Sequence, residues 1–381
     1  MKPKYVLIIT VLLLFLAVMP LTAQISLVDQ TTFSLFGNDV DNFMDPNDYG
    51  KVEFGSFFSM LQHDTFFGDH INPLYGGGTN IVSAGFAKKF DDLYTGFYFT
   101  GNLFEKNGDN SLFHNYLEAL IGSPSFGGIK AGFGFQAVSN GTDYSVFTIM
   151  AGWGKNFGLD NGTVLKPEAN AILIMPSSKG SATYPGFPPF ASVPPAKTIF
   201  GIDLKLDWVL LPKGGAEREW EFGYSLGLAN IEASPDDYMT FLHSLYASYS
   251  QVHTITEKFS AGFDCGLNVF ITSMSREISG TTYKSSAFIM VPVAGSAFAY
   301  KINQLFSINA GLGINYVVGR SSSSSGSSSS SSSFWNGFEV ETSAGGSFEP
   351  TSGLAVDFSW NKSGYYNSDI GTFNIGVRFK K

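Results

Sequence analysis

The chain has a single cysteine, Cys265, in 381 residues, so no internal disulfide can form. Charge is sparse as well. Asp, Glu, Lys and Arg together make up 14% of the chain, against about 25% in an ordinary soluble domain. The formal net charge is -9, and the basic residues are spread along the sequence. That argues against nucleic acid as a partner, because its binding rests on a basic surface that neutralises phosphates. Beyond the first residues no long apolar run appears, and no long segment carries convincing helical periodicity, so the chain does not read as a bundle of membrane helices. No Gly-rich phosphate cradle is present, and no cofactor is expected.

What is abundant is aromatic residues and glycine. Phe numbers 37, Tyr 17 and Gly 43, and aromatics reach 15%. Few charges and many aromatics suit a wall that meets lipid and carries aromatic girdles at its two interfaces. The N-terminus adds a location. Lys2 and Lys4 precede the apolar run Val6 to Met19, and Pro20-Leu21-Thr22-Ala23 precedes Gln24. This is the order of a cleaved secretory signal, expected over 1–23. The run is short for a helical span of about 20 residues, and no Cys follows it, which excludes a lipoprotein signal.

The last strand reads Phe373, Asn374, Ile375, Gly376, Val377, Arg378, Phe379. Its apolar residues alternate, placing Phe373, Ile375, Val377 and Phe379 in one row. An exported chain ending on such an aromatic-tipped strand is expected to present that row to the barrel-assembly machinery. The same period of two recurs upstream. Ile202-Leu204-Leu206-Trp208 stands opposite Asp203, Lys205 and Asp207, and Trp220-Phe222-Tyr224 opposite Glu221 and Gly223. Phe338-Val340 faces away from Glu339 and Glu341. A sandwich and a membrane barrel both alternate in this way. The polar rows here hold Gly, Ser, Asn and charges of both signs, which suits a wet lumen, and the runs near ten residues fit tilted membrane strands.

The expected fold is therefore all-β: a single transmembrane antiparallel β-barrel over 51–381, with sixteen strands and fourteen as the alternative. The least secure strand is 239–252, where Phe241, Leu242, Leu245 and Tyr249 also fit a short helix. Short and long connections largely alternate. The long ones are expected at 62–78, 103–110, 176–197, 274–283, 319–332 and 362–370, as outer loops. The loop 176–197 is rich in Pro, which stiffens it. The segment 320–333 holds Ser321 to Ser333, all serine except Gly326. With nothing to bury, it is expected to be disordered outside the cell.

Residues 24–50 precede the barrel and are a candidate periplasmic plug. Asp39, Asp41, Asp45 and Asp48 are oxygen donors, but their spacing is not that of an EF-hand, and Asp and Asn are ordinary turn formers. The run Phe36 to Asp45, then Val52-Glu53-Phe54 and Gly96 to Phe104, resembles a set of spirochaete outer-membrane proteins of unassigned function. The resemblance covers the first quarter of the chain. It implies a barrel with surface-exposed loops and brings no catalytic residues with it.

Two further groups bear on chemistry. His63-Asp64 and Asp69-His70 share one expected loop, where a metal site or a water-activating pair would need such residues. His243-Ser244 is the remaining neighbouring pair of that kind. Neither carries a second signature, so no enzyme activity and no metal are expected. The reading that results is a porin-like channel for passive transport of small solutes, since sixteen strands leave an aqueous passage. Asp203, Lys205, Asp207, Glu221, Glu339, Glu341 and Arg378 are the candidate pore-lining residues, and their acidic excess predicts a mild cation preference. The alternatives are a surface-exposed adhesin or antigen with host or cell-surface ligands, and a plugged, FadL-like transporter of hydrophobic molecules. Outer-membrane lipid is the expected surrounding; a homotrimer is one candidate assembly, common among sixteen-stranded porins, although nothing in the sequence marks a subunit interface.

Overall fold

The structure is a computed structural model that describes residues 54–63, 80–101, 105–107, 110–139, 143–159, 162–178, 196–210, 217–231, 238–278, 280–351, 353–363 and 372–380. The expected signal peptide, the 24–50 segment and the Pro-rich stretch 179–195 lie outside them. So do Asp64, Asp69 and His70.

All regular structure among the described residues is strand. The chain first forms β1 (Phe54–His63), β2 (Asn80–Phe90), β3 (Leu93–Gly101), β4 (Glu105–Asn107), β5 (Asn110–Ser123) and β6 (Gly127–Ser139). Next come β7 (Asp143–Gly154), β8 (Phe157–Gly158), β9 (Thr163–Ser178), β10 (Ala196–Leu210), β11 (Glu217–Ile231) and β12 (Tyr238–Thr256). The last are β13 (Phe259–Ile278), β14 (Thr281–Lys301), β15 (Phe306–Ser325), β16 (Ser328–Thr351), β17 (Leu354–Ser363) and β18 (Thr372–Lys380). The two shortest are continuations: β4 extends β3 against β5, and β8 extends β7 against β9. Sixteen wall strands remain, as the periodicity predicts.

Every neighbouring pair is antiparallel, and the first strand meets the last. β1 pairs β2 through Phe54↔Lys88 to Gln62↔Asn80, and pairs β18 through Gly55↔Lys380 to His63↔Thr372. The sheet thus returns on itself, which removes the exposed edges that an open sheet would carry. The segment 239–252 lies within β12 as a strand paired on both sides, not a helix.

The faces follow the pleat. On β13 the outer row holds Phe263, Leu267 and Ile271, all exposed, and the alternate residues Asp264, Phe270 and Thr272 are buried. The outward apolar row on β15 runs from Phe306 through Ile308, Leu312 and Ile314, all exposed, to the half-buried Val318. Those twelve residue steps span about 40 Å of strand at roughly 3.3 Å each, or about 30 Å of height at a tilt near 40°. That is the thickness of a membrane core. Aromatics collect at the end of this band nearer the chain termini: Phe90, Phe126, Trp153, Trp208, Trp220, Tyr300 and Phe306 are all exposed there. Trp208 and Trp220 are cross-strand partners. Trp153 is fixed further, because its Nε1 donates to the Phe126 carbonyl at 2.9 Å.

The opposite end departs from expectation. Strands β13, β14, β15 and β16 have 20, 21, 20 and 24 residues, well beyond the 9–11 that a tilted membrane strand needs. The connections 274–283 and 103–110, expected to be long, are tight hairpins, with strands reaching Ile278 and Thr281 in one case and Asn107 and Asn110 in the other. The serine tract is not a disordered loop. Ser321 to Ser325 end β15, and Ser328 to Ser333 begin β16, paired Ser321↔Ser332 through Ser325↔Ser328. Hydroxyls join across the hairpin at 2.9 Å between Ser321 and Ser332, and again between Ser323 and Ser330. Gly326, the one residue interrupting the serines, takes φ 56° in the two-residue turn, a conformation that costs glycine little. A tall four-stranded wall therefore stands past the apolar band.

Candidate functional site

The densest polar contacts on the inner face span β6 to β12. On β10, Asp203, Lys205 and Asp207 alternate with the exposed Leu204, Leu206 and Trp208, so the pleat turns all three charges inward. Lys205 Nζ lies 3.1 Å from Glu221 Oε1 and 3.4 Å from Asp207 Oδ2. Asp207 and Glu221 face each other across the β10–β11 ladder, so the single ammonium bridges two like charges that would otherwise repel. Asp207 Oδ1 is buried without a hydrogen-bond partner among the described residues.

The belt extends to both sides. Toward β12, the Tyr246 hydroxyl donates to Glu221 Oε1 at 3.0 Å. Ser225 Oγ donates to Asp203 Oδ1 at 2.6 Å. Toward β6, Lys130 Nζ lies 3.1 Å from Glu168 Oε1, the same oxygen that accepts from Asn170 Nδ2 at 2.8 Å. Two glycines make room for this packing. A Cβ on Gly223 would overlap the Tyr246 ring, and one on Gly152 would overlap Asn170 and the Lys130 stem. On β9 to β11 the inward positions carry Glu168, Asp203, Asp207, Glu219 and Glu221 against Lys166 and Lys205, so carboxylates outnumber ammoniums there.

A second inner region is apolar. Phe270 and Ile289 are cross-strand partners on β13 and β14, both nearly fully buried, with Val291 and Val317 packed against them. Leu242 and Met274 are buried on the same inner face. Arg276 stacks over the Tyr238 ring at 5.3 Å.

The structure brings together four of the seven predicted lining residues: Asp203, Lys205, Asp207 and Glu221. Positions 339 and 341 alternate with the exposed Phe338 and Val340 on β16, and position 378 alternates with the exposed Val377 on β18. Positions 373, 375 and 379 share the parity of Val377, and β18 forms the seam with β1. The row Phe373, Ile375, Val377 and Phe379 thus sits where the ring closes. His243 and Ser244 occupy opposite faces of β12. Ser244 is buried inside, and His243 Nδ1 lies 2.9 Å from the Tyr224 hydroxyl on the other face. Sequence reasoning missed Lys130, Glu168, Asn170 and Tyr246. The signal for the first pair was available as opposite charges at inward positions of neighbouring hairpins. Tyr246 was obscured by the uncertain assignment of its strand.

No protein-family model matches the chain, and no curated protein matches it. Solved structures do resemble it. CdiB from Acinetobacter baumannii aligns with a TM-score of 0.51 at 8% identity, covering 86% of this chain and 60% of that one. The CymD monoaromatic hydrocarbon channel aligns at 0.41 and 11%, covering 93% and 96%. The outer membrane channel DcaP of Acinetobacter baumannii aligns at 0.39 and 11%, covering 87% and 97%. At such identities the likeness is one of fold. The chain has the fold of an outer-membrane β-barrel.

Proposed function

We propose that the chain is a porin-like channel of the bacterial outer membrane, passing small polar solutes with a preference for cations. The observation that carries this reading is the inner belt of Lys205, Asp207 and Glu221 with its neighbours. Charges of both signs on an inner face are costly unless water reaches them. Lys205 keeps 29% of its side chain accessible, so the belt borders solvent. Sixteen strands enclose enough width for water, and a passage walled by an excess of one sign concentrates the opposite ion.

The test is single-channel recording in a planar bilayer, with protein purified from outer membranes in mild detergent. Discrete openings and a reversal potential favouring the cation in a salt gradient are expected. A folded barrel that never opens, or one that favours the anion, overturns the channel or its selectivity respectively.

A second reading has its own observation. The inner cluster of Phe270, Ile289, Val291 and Val317 offers an apolar surface that a wholly polar pore does not need, which favours passage of hydrophobic molecules. Under that reading Ile289→Ser slows entry of an apolar fluorescent dye into proteoliposomes and leaves ion conductance unchanged. An unaltered dye rate removes it.

A further inference from the structure

On the outer face of the tall wall the pairing makes a grid. Ile271, Phe288 and Arg320 lie in one row, Phe241, Ser273, Ser286 and Ser322 in the next, and Ser275, Lys284 and Ser324 in the one beyond. Phe241, Ile271 and Phe288 are exposed and form the upper edge of the apolar band. Past them the outward residues become Ser and Thr; of the two exposed cations on this face, Arg320 shares the row of Ile271 and Phe288, and Lys284 stands one row past Phe241. These belong to neighbouring strands and sit about 13 Å apart along the strand direction. Both line one cleft with the Ser286–Ser322 pair, whose hydroxyls are 2.8 Å apart. The cleft has a volume of about 630 Å3 and is lined by Phe241, Lys284, Ser286, Arg320 and Ser322 among others. Among the described residues of β13 to β15, one carboxylate shares this face past the band: Glu277, opposite Thr282, a row further out.

We propose that this cleft binds the phosphate-bearing headgroup of a lipid in the outer leaflet, whose acyl chains lie down Phe241, Ile271 and Phe288. Across these three rows the outward face passes from apolar side chains to serine and two cations, as the bilayer passes from chain to phosphate. Arg and Lys supply charge-assisted bonds to phosphate oxygens. The serine hydroxyls add neutral donors. A free phosphate ion would use the same cations but would gain nothing from three exposed apolar side chains directly beneath. This site lies on the outside of the wall and does not depend on whether the barrel conducts.

The test is native mass spectrometry of the full chain in mild detergent, offered phosphatidic acid and phosphatidylcholine with identical chains. Wild type should retain phosphatidic acid about tenfold better, given two cations near the membrane surface. The double variant Lys284→Ser, Arg320→Ser should fall to the phosphatidylcholine level. Lys258→Ser, an exposed cation in the turn at the opposite end, should change nothing. Equal retention of the two lipids by wild type overturns the proposal without any variant. So does undiminished retention by the double variant. If millimolar inorganic phosphate displaces the lipid fully, the site is one for the free ion, and the lipid assignment falls. Both substitutions place serine at exposed positions with serine on a neighbouring strand, and heat-dependent gel mobility verifies that each variant is a folded barrel.

Discussion

The ring of Tyr246 occupies the space beside Gly223 that any side chain there would fill, and from that position its hydroxyl donates to Glu221. The small residue on β11 is therefore what lets β12 send a donor across to the charged belt. Gly223→Ala should push the ring aside and strip Glu221 of that donor. Forcing a methyl into a filled site costs about 1–3 kcal/mol, read as a lower urea midpoint in detergent. Gly158→Ala is the control, since nothing lies within 4 Å of its added Cβ, and it should stay within about 0.5 kcal/mol of wild type. Equal effects from the two would show that Tyr246 does not depend on the gap.

Lys205 bridges Asp207 and Glu221. Its side chain is 29% accessible, but those of Asp207 and Glu221 are only 9% and 16%, so removing the ammonium leaves two poorly solvated carboxylates facing each other and should cost the fold about 1–3 kcal/mol. Ion selectivity is the sensitive readout. Lys205→Met exposes two carboxylates to the passage and should move the reversal potential further toward the cation. Glu221→Gln should move it back. Selectivity that ignores both changes would place the constriction elsewhere in the barrel.

Backbone amides of Ser321 to Ser325 and Ser328 to Ser333 take part in a ladder, although their side chains have nothing apolar to bury. Hydrogen exchange should find them slower than an unstructured serine peptide at the same pH. Gly326→Val should speed their exchange, because a β-branched residue resists the positive φ of the turn. Exchange at the free-peptide rate in wild type would mean that the hairpin does not persist.

That hairpin shows where sequence legibility ends. The apolar rows at 202–208, 220–224 and 306–316 were readable because each strand meets two different surroundings, lipid outside and a polar interior. Alternation records that difference. Ser321 to Ser333 has the same side chain on both faces, so the period vanishes even though the strand continues. Its pairing is dictated by β14, which rises beside it, and the clue in the sequence was Gly326 at the centre of the tract. The same logic separates parts of the belt. Asp203, Lys205, Asp207 and Glu221 stood out as charges facing clear apolar rows. Glu168 and Asn170 lie on β9, where a proline and mixed residues blur the alternation. Tyr246 has an apolar ring, so its inward, hydrogen-bonded position was invisible to a count of polar faces.

Leu312 is half exposed on the outer face of β15, six residue steps from Phe306 and six from Val318, at the middle of the apolar band. On a water-soluble protein, an exposed leucine replaced by arginine would be nearly neutral. In a bilayer the same change puts a charge at the midplane, at a cost of about 2–4 kcal/mol. Thr282→Arg, on the outer face of the wall beyond the band, should cost only about 0–1 kcal/mol. Both substitutions introduce the same side chain on the same sheet surface, so the difference between them measures the surrounding medium. Unfolding of the two variants in lipid vesicles gives that difference directly. A Leu312→Arg barrel as stable as the Thr282→Arg one would mean that the row from Phe306 to Val318 does not lie in lipid.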